Sequence, residues 1–189
     1  MANFTLTAKS PLSGVAREYD GVSIAEITGK AIVSIAIPDG GEKKLAIAIT
    51  KSYQTDMPKV GLSSVSFDGK TQFLGMQKDQ MFAVFDYDGD DAVLHVADRL
   101  KSAGYFTNQS DSWAMLAVSG PESRTALMRI CSLDLDKDTF VEGAVVRTVM
   151  EHLGVIIFRS QADCFLIFTT RSTAQSLLHA VETSISNIL

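Results

Sequence analysis

The sequence predicts an α+β fold of two related layers, each a mostly antiparallel sheet carrying helices, and three observations lead there. The first is an internal similarity at an offset of 83 residues. AIVSIAIP (Ala31 to Pro38) lines up with AMLAVSGP (Ala114 to Pro121), and FLGMQKDQMFAVF (Phe73 to Phe85) with IIFRSQADCFLIF (Ile156 to Phe168). On that offset Leu45 falls on Met128, Ile47 on Ile130, Phe82 on Phe165 and Phe85 on Phe168. The second is that strand patterns come in pairs across short polar turns, as hairpins do, rather than singly between helices. The third is an amphipathic helix pattern near the end of each half. The expected division is a first half, 1–103, and a second half, 104–189, with the N-terminal segment free to pack on the second.

In the first half, Ala31 to Ile37 reads as a buried strand ended by the turn Pro38-Asp39-Gly40-Gly41. Glu42 to Tyr53 reads as a helix, although LAIAI within it alternates like a strand; the repeat decides for the helix. Strands near Gln72 to Met76 and Met81 to Phe85 flank the turn Gln77-Lys78-Asp79-Gln80. Asp90 or Asp91 then caps a helix with Val93, Val96, Ala97 and Leu100 on one face.

In the second half, Ser112 to Val118 is a strand, and Ser119-Gly120-Pro121-Glu122 starts a helix with proline at its first position. Arg124 to Ile130 continues it, and Asp134 to Asp138 is a loop. Strands follow near Ala144 to Met150, Val155 to Arg159 and Phe165 to Thr169. Ser172 caps a last helix whose Ala174, Leu177, Leu178, Val181 and Ile185 share a face. Met115 and Ala117 share the strand face of Trp113, which is expected to meet that helix through Leu177, Leu178 or Val181.

Composition narrows the function classes. The 189 residues are 46% hydrophobic and 21% charged, which excludes a mainly disordered chain. Seventeen Lys and Arg against 22 Asp and Glu leave a net charge of −5, so no nucleic-acid-binding surface is expected. The longest apolar stretches, such as Ala31 to Ile37, fall short of the roughly 20 residues a membrane helix needs. The start, MANFTLTAKSPL, has no basic segment followed by an apolar core, so no export signal is expected. Cys131 and Cys164, in no CxxC pair, read as reduced thiols of a cytoplasmic protein.

No catalytic set emerges from the motifs. Asp134-Leu135-Asp136-Lys137-Asp138 supplies three EF-hand positions, but Thr139 stands where the turn glycine belongs and Val145 where the bidentate glutamate belongs. Asp86 to Asp91 fails similarly, with its glycine early and Ala97 at the last ligand position. Solvated loops and helix caps account for both runs. His95, His152 and His179 form no ligand cluster, and metal binding is not expected. Ser119-Gly120-Pro121-Glu122-Ser123 is not the GxSxG of a hydrolase. Cys131 and Cys164 lie in apolar segments, where cysteine serves as core filler. Gly40-Gly41-Glu42-Lys43-Lys44 has glycine and lysine beside a helix start but lacks a P-loop pattern, and GxGxxG is absent.

The second half nevertheless carries a resemblance. Ser110-Asp111-x-Trp113, then Val118-Ser119-Gly120-Pro121, Leu127 and Cys131-x-Leu133-Asp134-Leu135 resemble the gamma subunit of heterotetrameric sarcosine oxidase. The likeness continues through Phe140, Gly143, Arg147-Thr148, Ile157, Arg159, Phe165 and Arg171-Ser172-x-Ala174. In the first half, Ser10-Pro11-Leu12 looks like that family's opening. Leu74-Gly75-x-x-x-Asp79 is similar to its Leu-Gly-Pro-Asp-Glu-Trp segment, with Met76 intervening, Gln80 in place of the acid and Met81 in place of the aromatic.

The resemblance implies the folate-binding, aminomethyltransferase-like fold. It also implies membership of a four-subunit flavoenzyme, an oxidoreductase acting on CH-NH donors, that demethylates sarcosine to glycine. Oxygen becomes hydrogen peroxide, and the one-carbon unit passes to tetrahydrofolate. It assigns FAD, FMN, NAD, tetrahydrofolate and zinc to the alpha, beta and delta partner subunits. It carries no catalytic, cofactor-binding or metal residue onto this chain. The alternative is a stand-alone folate-binding or aminomethyl-transferring protein of the same fold. That chemistry would need a carboxylate, for which Asp79, Asp111 and Asp163 are the candidates; each also has a simple structural role as a turn or strand-end residue.

Overall fold

The computed structural model describes residues 9–188. Residues 1–8, most of the segment MANFTLTAKSPL, lie outside the described residues, as does Leu189. The first half forms β1 (Ala16–Tyr19), β2 (Val22–Ile27), β3 (Lys30–Ala36) and α1 (Glu42–Tyr53), then β4 (Ser63–Val65), β5 (Thr71–Gln77), β6 (Gln80–Asp86) and α2 (Ala92–Leu100). The second forms β7 (Tyr105–Asn108), β8 (Trp113–Ser119), α3 (Ser123–Met128), β9 (Val145–Met150), β10 (Leu153–Gln161), β11 (Cys164–Thr170) and α4 (Ala174–Ser186). All pairings are antiparallel, in a first sheet ordered β4-β5-β6-β3-β7 and a second ordered β1-β2-β8-β11-β10-β9. The α+β expectation of two related layers is met.

The layers stack as helices, first sheet, second sheet, helices. Ala31, Val33 and Ile35 of β3 pack with Leu45, Ile49, Val96 and Leu100 of α1 and α2. Leu116 and Val118 of β8 pack with Leu127, Leu177, Val181 and Ile185 of α3 and α4. Between the sheets lies a third core containing Ile32, Leu74, Phe82, Met115, Ile156 and Phe168. Most central strands are therefore buried on both faces, which accounts for the nearly continuous apolar runs.

Two-sided burial corrects the expectation for Trp113. Its face of β8, shared with Met115, turns to the other sheet, where Trp113 meets Phe82 edge-on with centroids 6.1 Å apart. The opposite face, Ala114, Leu116 and Val118, meets α4. Period-two alternation groups residues by face, but where both faces are apolar it does not say which one meets a helix.

The two halves are duplicates with an exchanged strand. β3 and β8 correspond at the offset of 83, but the hairpins correspond at 84: Ala31 pairs with Phe85, and Ala114 with Thr169. Phe82 thus matches Leu166 rather than Phe165, both in the core between the sheets. Phe73 matches Ile157, both facing helices. A one-residue slip in a strand exchanges faces, so the 83-residue alignment of the hairpins had paired opposite sides. Both hairpins break register at the same place, between Gly75 and Gln77 and between Arg159 and Gln161.

The strand before β3, β2, pairs with β8, while the strand before β8, β7, pairs with β3. The division at 103/104 consequently runs through the strand set of the first sheet. The sheet edges meet where Leu62 bridges Ala144 and the Val145 amide donates to Gly61 O at 2.9 Å. Gly61 and Leu62 bond to Gly75 as Gly143 and Ala144 bond to Arg159, so the Leu62–Ala144 bridge joins a residue to its own counterpart, as at an isologous contact.

The helix ends need two corrections. Glu122 occupies the N-cap of α3, so Pro121 lies just outside the helix, not at its first position. Thr173, not Ser172, is at the N-cap of α4, after a short 3-10 turn over Arg171–Thr173. Asp91 does cap α2, accepting from the Leu94 amide at 2.8 Å. α1 keeps its helix despite the alternating LAIAI because Leu45, Ile49 and Tyr53, four residues apart, reach the core while Ile47 stays 68% exposed.

On α2, His95 stacks on Phe85 with centroids 5.2 Å apart. Burial, and next the Arg99 guanidinium, push its imidazole below the usual range, against the opposing pull of Asp98. The unfolded chain therefore takes up this proton first as pH falls. The neutral-His95 contribution is whole above about pH 6.5 and is lost as pH falls through the lower folded value. His95→Gln should flatten that acid-side slope of melting temperature against pH; an unchanged slope would assign it to other groups.

Candidate functional site

The residues with chemical potential are dispersed. Asp134 Oδ1 accepts from the Asp136 amide at 2.9 Å, and Asp136 Oδ1 from the Asp138 amide at 3.0 Å, so this acidic run folds on its own backbone. Asp86 pairs with Lys30 at 2.7 Å. Among the described residues no group of three His, Cys, Asp or Glu side chains could hold a metal. Lys44 at the glycine-lysine segment donates to Ser102 O and Oγ at 2.8 and 3.0 Å. Ser123 is buried and directs its hydroxyl at Asp163 O, 3.3 Å away. Cys131 is buried, and burial raises its thiol pKa, which suits packing rather than nucleophilic attack. Cys164 is half-buried and free, His152 and His179 are exposed, and His95 is half-buried.

The three candidate carboxylates do not meet. Asp79 and Asp163 occupy equivalent hairpin turns, where their carbonyls, not their carboxylates, accept from Ile37 and Gly120 at 2.8 and 2.9 Å. Asp111 precedes β8 while Asp163 lies beyond its far end, a separation of about 23 Å at the usual rise per strand residue. All three are exposed, and Arg171 approaches Asp111 at 3.9 Å.

The motif residues behind the family resemblance converge on structural tasks. Arg159, only 4% exposed, donates through Nη1 to Phe140 O at 2.7 Å and through Nη2 to Ala162 O at 2.6 Å, and lies over the Phe165 ring. Gly143 in turn donates to Arg159 O at 2.8 Å. Ser110 Oγ accepts from the Ile32 amide at 3.1 Å, which ties the segment before β8 to the first sheet. Arg171 holds the chain start through Lys9 O at 2.5 Å, beside Glu26, whose carboxylate accepts from Ser10 Oγ and the Leu12 and Gly14 amides.

Two adjoining clefts, which share Ile27, Lys30 and Met115, open into the layer between the sheets. One cleft, about 200 Å³, is lined by Glu26, Ser110, Trp113 and Arg171. Trp113 Nε1 is the one buried side-chain polar atom among the described residues without a hydrogen-bond partner. The other cleft, about 510 Å³, has Lys30, Lys70, Gln72, Ser160 and Gln161 around an apolar floor. These residues carry no motif in the sequence; the usable signal was that Lys30 aligns with Trp113 at the 83-residue offset.

No family model matches the chain, and no curated protein is significantly similar to it. Among solved structures, a chain of heterotetrameric sarcosine oxidase from Corynebacterium sp. U-96 superposes with a TM-score of 0.77 at 20% identity, over 95% of this chain and 95% of that one. Glycine cleavage system aminomethyltransferase T from Bartonella henselae gives a TM-score of 0.64 at 14% identity, over 85% of this chain but only 45% of that one. No helix among the described residues is long and apolar enough to cross a membrane. The chain has the α+β fold shared by that sarcosine oxidase chain and the aminomethyltransferase.

Proposed function

We propose that this chain is the non-catalytic gamma subunit of a cytoplasmic heterotetrameric sarcosine oxidase, working with alpha, beta and delta subunits. In this reading the assembly demethylates sarcosine to glycine, reduces oxygen to hydrogen peroxide and passes the one-carbon unit to tetrahydrofolate. The flavins, NAD, folate and zinc belong to the partner subunits. The observation that carries the reading is the end-to-end match to one chain of a four-subunit sarcosine oxidase, in contrast to about half of the aminomethyltransferase. The dispersed carboxylates and the structural employment of Arg159, Ser110 and Arg171 support a scaffold rather than a catalyst.

The isolated chain should bind no flavin, NAD or metal. Purified protein with stoichiometric yellow absorbance, or with bound zinc by elemental analysis, would contradict this. Tetrahydrofolate-dependent aminomethyl transfer by the free chain would favour the stand-alone alternative.

A further inference from the structure

We propose that the larger cleft between the sheets is a binding site for a small amphiphilic carboxylate with a flat or acyl apolar body. The argument starts from the duplication. β3 and β8 are equivalent strands of equal length, and their first residues are Lys30 and Trp113. Trp113 reaches across to Phe82 of the other sheet. The equivalent position, which shares a cleft with Leu166, the counterpart of Phe82, holds Lys30. A lysine whose ammonium turns to Asp86 leaves indole-sized space unfilled. The cleft beside Lys30, Leu74 and Leu166 measures about 510 Å³. Protein interiors seldom leave such space between packed layers, and this volume falls within the usual range of ligand sites, about 300–1,000 Å³.

The lining selects the ligand chemistry. Leu74, Val84, Met115, Phe158 and Phe168, each less than a tenth exposed, form an apolar floor contributed by both sheets. Gln72 Nε2 and Ser160 Oγ are already committed to Ser64 O at 3.1 Å and Cys164 O at 3.2 Å. The donors left for a ligand head are chiefly the ammoniums of Lys30 and Lys70. Lys30 carries three N–H groups, of which Asp86 engages one. Lys70 is positioned by a closed turn in which Asp68 Oδ1 accepts from Ser66 Oγ at 2.6 Å and from the Lys70 amide at 3.1 Å. Two cations at the mouth of an apolar slot match an anionic head on an apolar body.

The site is independent of the subunit reading and is tested on the full chain with naphthoate, and with uncharged naphthamide as its isostere, by calorimetric titration. Saturable one-to-one binding is expected for naphthoate, with naphthamide weaker by about tenfold. Lys70→Glu should weaken naphthoate by a similar factor and leave naphthamide unchanged. Lys30→Trp, which installs the residue of the equivalent position, should abolish binding of both. Gln161→Trp, at the exposed rim, fills the cleft from the other side and serves if Lys30→Trp does not fold. No saturable binding, equal affinity for the two probes, or undiminished binding in a folded filled variant would overturn the proposal.

Discussion

Arg159→Ala should destabilise the chain by about 3–4 kcal/mol, measured by chemical denaturation, as expected when a stranded buried carbonyl adds to the cavity left behind. Among the described residues the guanidinium has no carboxylate partner; its charge is held by the carbonyls of Phe140 and Ala162 and by the Phe165 face. Removing it strands the buried Phe140 contact, opens a cavity against Phe165 and frees the loop from Asp134 to Phe140 from the β10–β11 hairpin. Arg159→Lys keeps the charge but lacks the planar fork that spans two carbonyls, so it should recover only part of the loss. A loss under about 1 kcal/mol for Arg159→Ala would mean that the loop is held by other contacts.

Trp113→Ala should cost about 3 kcal/mol, the low end for truncating a large aromatic, because the ring is half-buried. The ring stands between the sheets, against Phe82 and under the Arg147 guanidinium at 5.9 Å. Trp113→Phe should be much milder, about 1 kcal/mol, since the indole N–H has no partner to lose among the described residues. Activity per assembled complex should be unchanged in both variants. A variant that assembles and melts normally yet loses turnover would give Trp113 a direct part in the reaction.

Much of the fold was legible because its strongest signals are local and repeated. The helix Glu42–Tyr53 appears where the repeat put it, and the hairpin strands and the stripe Ala174, Leu177, Leu178, Val181 and Ile185 appear where periodicity put them. β1, β2, β4 and β7 were not anticipated. They are short and partly exposed, and β2 and β7 draw their place from pairing with a strand of the other half. Local propensity contains nothing about such an exchange. The direction of Trp113 was illegible for a related reason, since a strand apolar on both sides has no unique core face. The cleft was hidden because it arises from a difference between equivalent positions, Lys30 against Trp113, rather than from a motif.

The central claim is membership of an amine-oxidising assembly, and mild affinity purification of the tagged full chain from its native host tests it most directly. The chain should co-purify in constant stoichiometry with three other subunits, including flavin-bearing ones, and the eluate should release hydrogen peroxide on addition of sarcosine. Recovery of the chain alone, with no flavoprotein and no sarcosine-dependent peroxide, would contradict the account.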